Sequence, residues 1–246
     1  MTDLPIPADP GDVASSASEV AFGRSADGLL LARIGDLAFA MVPGREGYFL
    51  ASAWRVRRPL DQLRRDDFYS HYGRIDNEAA FRARMTEQAE HSRELKALSR
   101  KTMRITYSTP WGSSQGATVY ADGIVSHTTA SHGGFHLSAE RNAEVHPLLR
   151  SEGGFYEEDY AWAIVAVTFP ALFTSFERRC AEKSLKDWWP DAWETVFGTI
   201  LGPGESHQKD RRAFEAGHAD DWVVISAICS THPTGTVETI PTRAGQ

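Results

Sequence analysis

Leu29-Leu30-Leu31-Ala32-Arg33-Ile34-Gly35-Asp36-Leu37-Ala38-Phe39-Ala40-Met41-Val42-Pro43-Gly44-Arg45-Glu46-Gly47-Tyr48-Phe49-Leu50-Ala51 contains three short apolar runs separated by two turn signals, Gly35-Asp36 and Pro43 to Gly47. A fourth run, Val20-Ala21-Phe22, precedes it across Ala26-Asp27-Gly28. Apolar runs of this length bounded by Gly, Pro and Asp read as β-strands. The connections are too short for crossover helices, so the strands form an antiparallel meander.

Outward from the meander the pattern changes. Residues 1–18 are rich in Pro, Asp, Ala and Ser, lack apolar periodicity and read as a mobile tail. Asp76-Asn77-Glu78 opens a polar helix to about Ser99, with a thin stripe of Phe81, Met85, Gln88 and Leu95. Ile105 to Tyr107 reads as a short strand and Ala117 to Leu137 as more strands, with a turn at Ser131 to Gly134. Ser138 is placed to cap a short helix, and Thr174-Ser175-Phe176-Glu177 is a capping box whose helix buries Phe176, Cys180, Leu185 and Trp188. Pro190 starts a further helix that Gly198 ends, and Ser206 caps one through Glu215. Tyr156 to Phe169 fits a helix with Glu157, Glu158 and Asp159 at its positive end. Trp222 to Ile228 reads as a buried strand and Val237 to Ile240 as a second one. Strands and helices are segregated rather than alternated, which makes the fold class α+β. The expected division is a tail over 1–18, a meander plus basic helix over 19–104 and an α+β core over 105–246.

Of the 246 residues 41% are hydrophobic and 24% charged, enough for a sizeable core. No apolar run reaches the roughly 18–20 residues that span a bilayer, and Met1 to Pro5 lacks the basic and apolar pattern of a secretory signal. Cys180 and Cys229 lie in apolar segments and read as buried reduced thiols. A cytoplasmic protein without a membrane partner is expected. The net charge of -7 argues against a surface that grips nucleic acid everywhere. Basic side chains nonetheless crowd between Arg55 and Arg104, including Arg57, Arg58, Arg64, Arg65, Arg74, Arg82, Arg84, Lys96, Arg100 and Lys101. They read first as a solvated helix face with i,i+4 pairs and second as a patch for an anionic partner.

Chemistry-bearing residues concentrate between Thr109 and Asp159. Four histidines lie between His127 and His146. With a turn at Ser131 to Gly134, Thr129 faces His136, and His127 and His136 share one face of a hairpin with His132 at its tip. Neither a His-Glu-x-x-His nor a cysteine-pair signature is present, so no metal is assigned, although two imidazoles and Glu157 or Glu158 could hold one. Gly112-Ser113-Ser114-Gln115-Gly116 matches the nucleophile-elbow pattern, but the extended residues after it favour a glycine turn. Ser131-His132-Gly133-Gly134 could form an anion-binding nest, with Arg141 and Arg150 in support. Trp188, Trp189, Trp193 and Trp222 read as core.

These residues resemble a family of uncharacterised bacterial domains met in plasmids and phages. The resemblance rests on Thr109-Pro110-Trp111-Gly112, Ser131-His132-Gly133-Gly134, Leu137, Ser138 and Asn142. It continues through Tyr156-Glu157-Glu158-Asp159 with Trp162, and Phe169-Pro170 with Leu172-Phe173. It spans about Thr109 to Ile228 and implies a mobile-element setting and a shared site around the hairpin, with no activity or cofactor to transfer. The leading expectation is an accessory protein that binds or processes a small, phosphate-bearing ligand. His132, Asn142 and Glu157 are its candidate catalytic residues, and Trp111, Gly133, Gly134, His127, His136 and Tyr156 line its pocket. The alternative is a non-catalytic interaction protein that inhibits a host defence complex. A third reading, less favoured because of the acidic total, is local nucleic-acid binding through Arg55 to Arg104.

Overall fold

The computed structural model describes residues 19–230 and 235–243. The expected tail over 1–18 lies outside them. The fold is α+β, and the chain divides into two compact units, Met1–Ser99 and Arg100–Gln246.

In the first unit β1 (Ala21–Arg24), β2 (Leu30–Ile34), β3 (Leu37–Pro43), β4 (Tyr48–Ala53) and β5 (Ser70–Ile75) form one antiparallel sheet in sequence order. Gly47 makes the β3–β4 turn at φ 88°, a conformation that favours glycine. Strand residues alternate between two cores. Leu30, Ala32, Phe39, Met41 and Leu50 pack with Phe81, Met85 and Ala89 of α1 (Glu78–Leu98). Leu31, Ala38, Ala40, Val42, Ala51 and Ala53 pack with Leu63 and Phe68 from the β4–β5 connection. Alternation onto two apolar faces explains why β2 and β3 read as continuous apolar runs. Asn77 caps α1 by accepting from the Ala80 N–H, and Ser99 closes it in a left-handed conformation.

In the second unit the sheet order is β12-β11-β10-β9-β6, all antiparallel. β6 is Lys101–Met103, β9 Gly116–Ala121, β10 Ile124–Thr128, β11 Gly133–Leu137 and β12 Phe155–Glu157. The strand expected at Ile105 to Tyr107 instead lies at β6, and a two-strand turn, β7 (Ser108–Thr109) with β8 (Gly112–Ser113), precedes β9. One face of the large sheet carries Ile124, Phe135, Leu137 and Tyr156 into a core shared with α3 (Trp162–Thr168), α4 (Ser175–Trp188) and α5 (Pro190–Phe197). α2 (Ala139–Glu144) begins at the Ser138 cap and α6 (His207–Gly217) at Ser206. Arg100 reaches Glu177 of α4 as a two-pronged fork and donates to the Leu172 carbonyl. Burial alone would push the Glu177 carboxyl up, but that fork and the Thr174 N–H outweigh it and hold it below the usual carboxylate range.

Several expectations need correction. Glu157 to Asp159 do not begin a helix: β12 ends at Glu157 and α3 starts at Trp162. Pairing of Phe155 to Glu157 with β11 satisfies backbone groups that a helix would have left open at its first turn. Phe176 and Trp188 are 39% and 42% exposed on α4, where Ala181 and Leu185 are buried instead. Among the described residues β13 (Trp222–Cys229) and β14 (Val237–Arg243) pair only with each other, and Trp222, Val224, Ile225 and Ile228 stay more than half exposed. A hairpin without a third layer has no interior in which to bury them. Of the tryptophans assigned to the core, Trp193 is buried but Trp188 and Trp222 are not. Cys180 is half-buried and Cys229 exposed, and they are not joined in a disulfide.

Candidate functional site

The second face of the β6–β12 sheet carries the candidate site. His127 pairs with Gly134 and Gly134 with Glu157, so these three positions lie in one row across β10, β11 and β12. Val125, His136 and Phe155 form the adjacent row on the same face. His136 thus faces Val125 and not Thr129, because the β10–β11 turn runs over Thr129 to His132 and Gly133 already belongs to β11. The displaced register moves His136 four residues along its partner strand. An even displacement keeps both histidines on one face, at a ring-centroid separation of 6.3 Å.

Aromatic rings cover that face. Tyr107 stacks on His127 at 5.0 Å and leans on His136 at 5.3 Å. His136 stacks on Phe155 at 4.5 Å, and Trp111 meets Phe155 edge-on at 5.9 Å. Trp111 is aimed by the Thr109-Pro110-Trp111-Gly112 turn, where the Thr109 hydroxyl donates to the Gly112 carbonyl and accepts from the Trp111 N–H. Its ring lies directly on Gly134, where an added Cβ would come within 2.4 Å of Trp111 Cη2 and 2.3 Å of the Tyr156 carbonyl oxygen. Glycine is therefore required there by close approach rather than by a nest.

His127 is buried, with Nδ1 3.1 Å from the Ser114 hydroxyl, which donates to the Gly116 carbonyl. With the only hydroxyl proton committed, Nδ1–H must donate to Ser114 Oγ, which leaves Nε2 as the unprotonated nitrogen. Burial, then the neighbouring His136, pushes the His127 imidazole below its ordinary value; burial does the same to His136. Both are neutral at pH 7. Ser114 is buried between two strands, so the Gly-x-Ser-x-Gly match is a turn with no strand-to-helix elbow.

At the end of the sheet His132, Glu157 and Asp159 converge. One donor atom from each lies within 4.8 Å of the other two. The Asp159 N–H donates to Glu157 Oε1, which bends the chain after β12 and returns Asp159 to the side occupied by Glu157. His132 is held by the Thr129 hydroxyl, which donates to the His132 carbonyl and accepts from its N–H. Three such donors, imidazole and two carboxylates, form a set suited to a divalent transition metal.

The remaining candidates separate from this corner. Asn142 is not with His132: its amide donates to the Ser151 carbonyl and accepts from the Tyr156 hydroxyl, which also takes the Ser151 N–H. Tyr156 is 1% exposed in the core and closes no pocket. Asn142 shares an open cleft of about 430 Å³ with His136, Arg150 and Gly154, but its polar atoms are already committed to structure. Gly133 and Gly134 lie within the β11 ladder, Arg141 serves Glu144 and the Asp122 carbonyl, and Arg150 serves the Ala143 and Val145 carbonyls. Glu158 lies against Gly133, where a Cβ would fall 2.5 Å from its Oε2, so the expected anion nest is replaced by a carboxylate. Sequence reasoning missed Asp159 as a partner of His132. The available signal was its two-residue spacing from Glu157, close enough for the Glu157 carboxylate to accept from the Asp159 N–H and turn the chain back.

No curated protein and no solved structure matches the chain. Residues 104–219, spanning β7 to β12 and α2 to α6, are similar to a family of uncharacterised domains and match its model, Domain of unknown function (DUF7007).

Proposed function

We propose that the second unit binds a small phosphate-bearing ligand through a divalent cation held by His132, Glu157 and Asp159. The convergence of those three donors within 4.8 Å is the observation that carries this reading. Charge decides the form of the site. Glu157, Glu158 and Asp159 would repel a bare anion, and Arg141 and Arg150 are tied elsewhere. A cation removes the repulsion, and three protein donors leave coordination positions for ligand oxygens. Imidazole favours Mn²⁺ or Zn²⁺ over Mg²⁺. Trp111 and Phe155 supply an apolar wall beside the metal, and the neutral His127 and His136 line the same face. The mobile-element setting implied by the sequence resemblance belongs to the same proposal.

Titration calorimetry with MnCl₂ and ZnCl₂ tests it. One bound ion per chain is expected, lost in the double variant His132→Ala/Asp159→Asn, with phosphate compounds binding only when metal is present. Equal metal uptake by the wild type and that variant, or none by either, overturns the reading.

The exposed β13–β14 hairpin favours a second reading, an interaction protein directed at a host complex, because Trp222, Val224, Ile225 and Ile228 are each more than half exposed. In that case Trp222→Ser/Ile225→Ser abolishes recovery of one stoichiometric partner from host lysate, and His132→Ala does not. Recovery unaffected by the hairpin variant removes this alternative.

A further inference from the structure

The first unit carries a surface that the metal corner does not use. The stretch from Trp54 to Arg74 holds six arginines against three aspartates, a local excess of cations in a chain of net charge -7. Along α1, Arg82 pairs locally with Glu78 and Arg93 with Glu90. Among the described residues no carboxylate pairs with Arg55 or Arg57.

These cations interleave with exposed rings. Trp54 is 56% exposed and Tyr69 62%. The Tyr69 hydroxyl accepts from the Trp54 N–H at 3.1 Å, which fixes the two residues side by side. The Arg55 guanidinium lies 4.4 Å from the centre of the Trp54 ring. Arg55 is at φ 57°, in the left-handed region that non-glycine residues adopt at a cost. Pairing of Ala51 with His71 and Phe49 with Arg74 continues the row along β5. His71 leans on Phe49 at 4.9 Å, and the Arg65 guanidinium stands 5.5 Å from that ring. The row therefore runs Trp54, Arg55, Tyr69, His71, Arg65 and Arg74, from the β4–β5 connection into β5, the strand that ends the sheet, with Arg74 also paired to exposed Glu46 at 3.8 Å.

From this alternation of rings and guanidinium groups we infer that the β4–β5 edge of the first unit binds single-stranded nucleic acid. Exposed rings accept unpaired bases by stacking, and every base has a face to stack, so recognition is independent of sequence. The arginines neutralise backbone phosphates and release counterions. A duplex hides its base faces and leaves the rings unused, so single strands bind more tightly than duplex at equal charge. The acidic total does not oppose a patch of this size, because charges beyond about 10 Å are screened at 0.1 M salt.

The test is fluorescence anisotropy of the full chain with a labelled oligothymidylate of about 20 nucleotides, the same length of RNA and a duplex. Binding is expected to weaken with rising salt and to favour both single strands over duplex. Trp54→Ala/Tyr69→Ala should weaken it about tenfold or more at every salt concentration. Arg55→Ala/Arg57→Ala should also weaken it and reduce the salt slope by about two phosphate contacts. All four side chains are exposed, and unchanged thermal melting confirms that the variants fold. No binding at low salt, tighter binding of duplex, or binding indifferent to the ring substitutions overturns the inference.

Discussion

The two five-stranded sheets are both antiparallel, yet they differ in what covers them. In the β1–β5 sheet alternate residues enter two apolar cores, so both faces serve stability and chemistry is left to the edge at β5. In the β6–β12 sheet only one face is apolar core. The other carries two neutral histidines, three further aromatic rings and, at its end, an imidazole with two carboxylates. Polar side chains on a half-covered sheet are costly to bury without partners, and His127 meets that cost by its hydrogen bond to Ser114.

This contrast can be broken most severely at glycine. Gly134→Ala forces a Cβ into the Tyr156 carbonyl and Trp111 and should cost about 4 kcal/mol or prevent folding. Gly47→Ala, in the first sheet's turn, meets nothing within 4 Å and should cost only the strain of its positive φ, about 1 kcal/mol. Chemical denaturation of both variants compares them. Next in size is Arg100→Ala, which strands the largely buried Glu177 and removes the clamp between the start of β6 and α4. A loss of about 3 kcal/mol is expected by the same measurement. Tyr156→Phe removes the hydroxyl that serves Asn142 and Ser151 and should cost about 1.5 kcal/mol without altering metal uptake, because that network lies on the core side of the sheet.

The smallest effect is on pH dependence. Folded His127 and His136 take up protons only at a pH below the ordinary 6.5, whereas their unfolded counterparts do so near it. The unfolded state therefore binds more protons in that window, and stability declines as pH falls below about 6.5. Melting temperatures followed between about pH 8 and 5 should show this decline, and His136→Asn should flatten it.

Local signals were the legible part of the sequence. Ser138, Thr174 and Ser206 cap the helices they were expected to cap, and Gly198 ends its own, because a cap is satisfied within three or four residues. The meander was legible from its turn residues for the same reason. Burial and convergence were not. Nothing within Trp222 to Ile228 says whether a layer docks on it, and the strand is exposed. The spacing of Asn142 from His132 does not reveal that the Tyr156 hydroxyl claims its amide. His132 and Glu157 were read as neighbours, but Asp159 was hidden by a helix reading that pairing between β11 and β12 overrides.

The measurement closest to the central claim is a zinc titration of the isotopically labelled full chain followed by amide NMR. The account predicts shifts centred on His132, Glu157 and Asp159, spreading to Trp111, with the Asn142 and Ser151 amides unmoved. Saturable zinc binding that perturbs other residues, or a spectrum that zinc leaves unchanged, would contradict it.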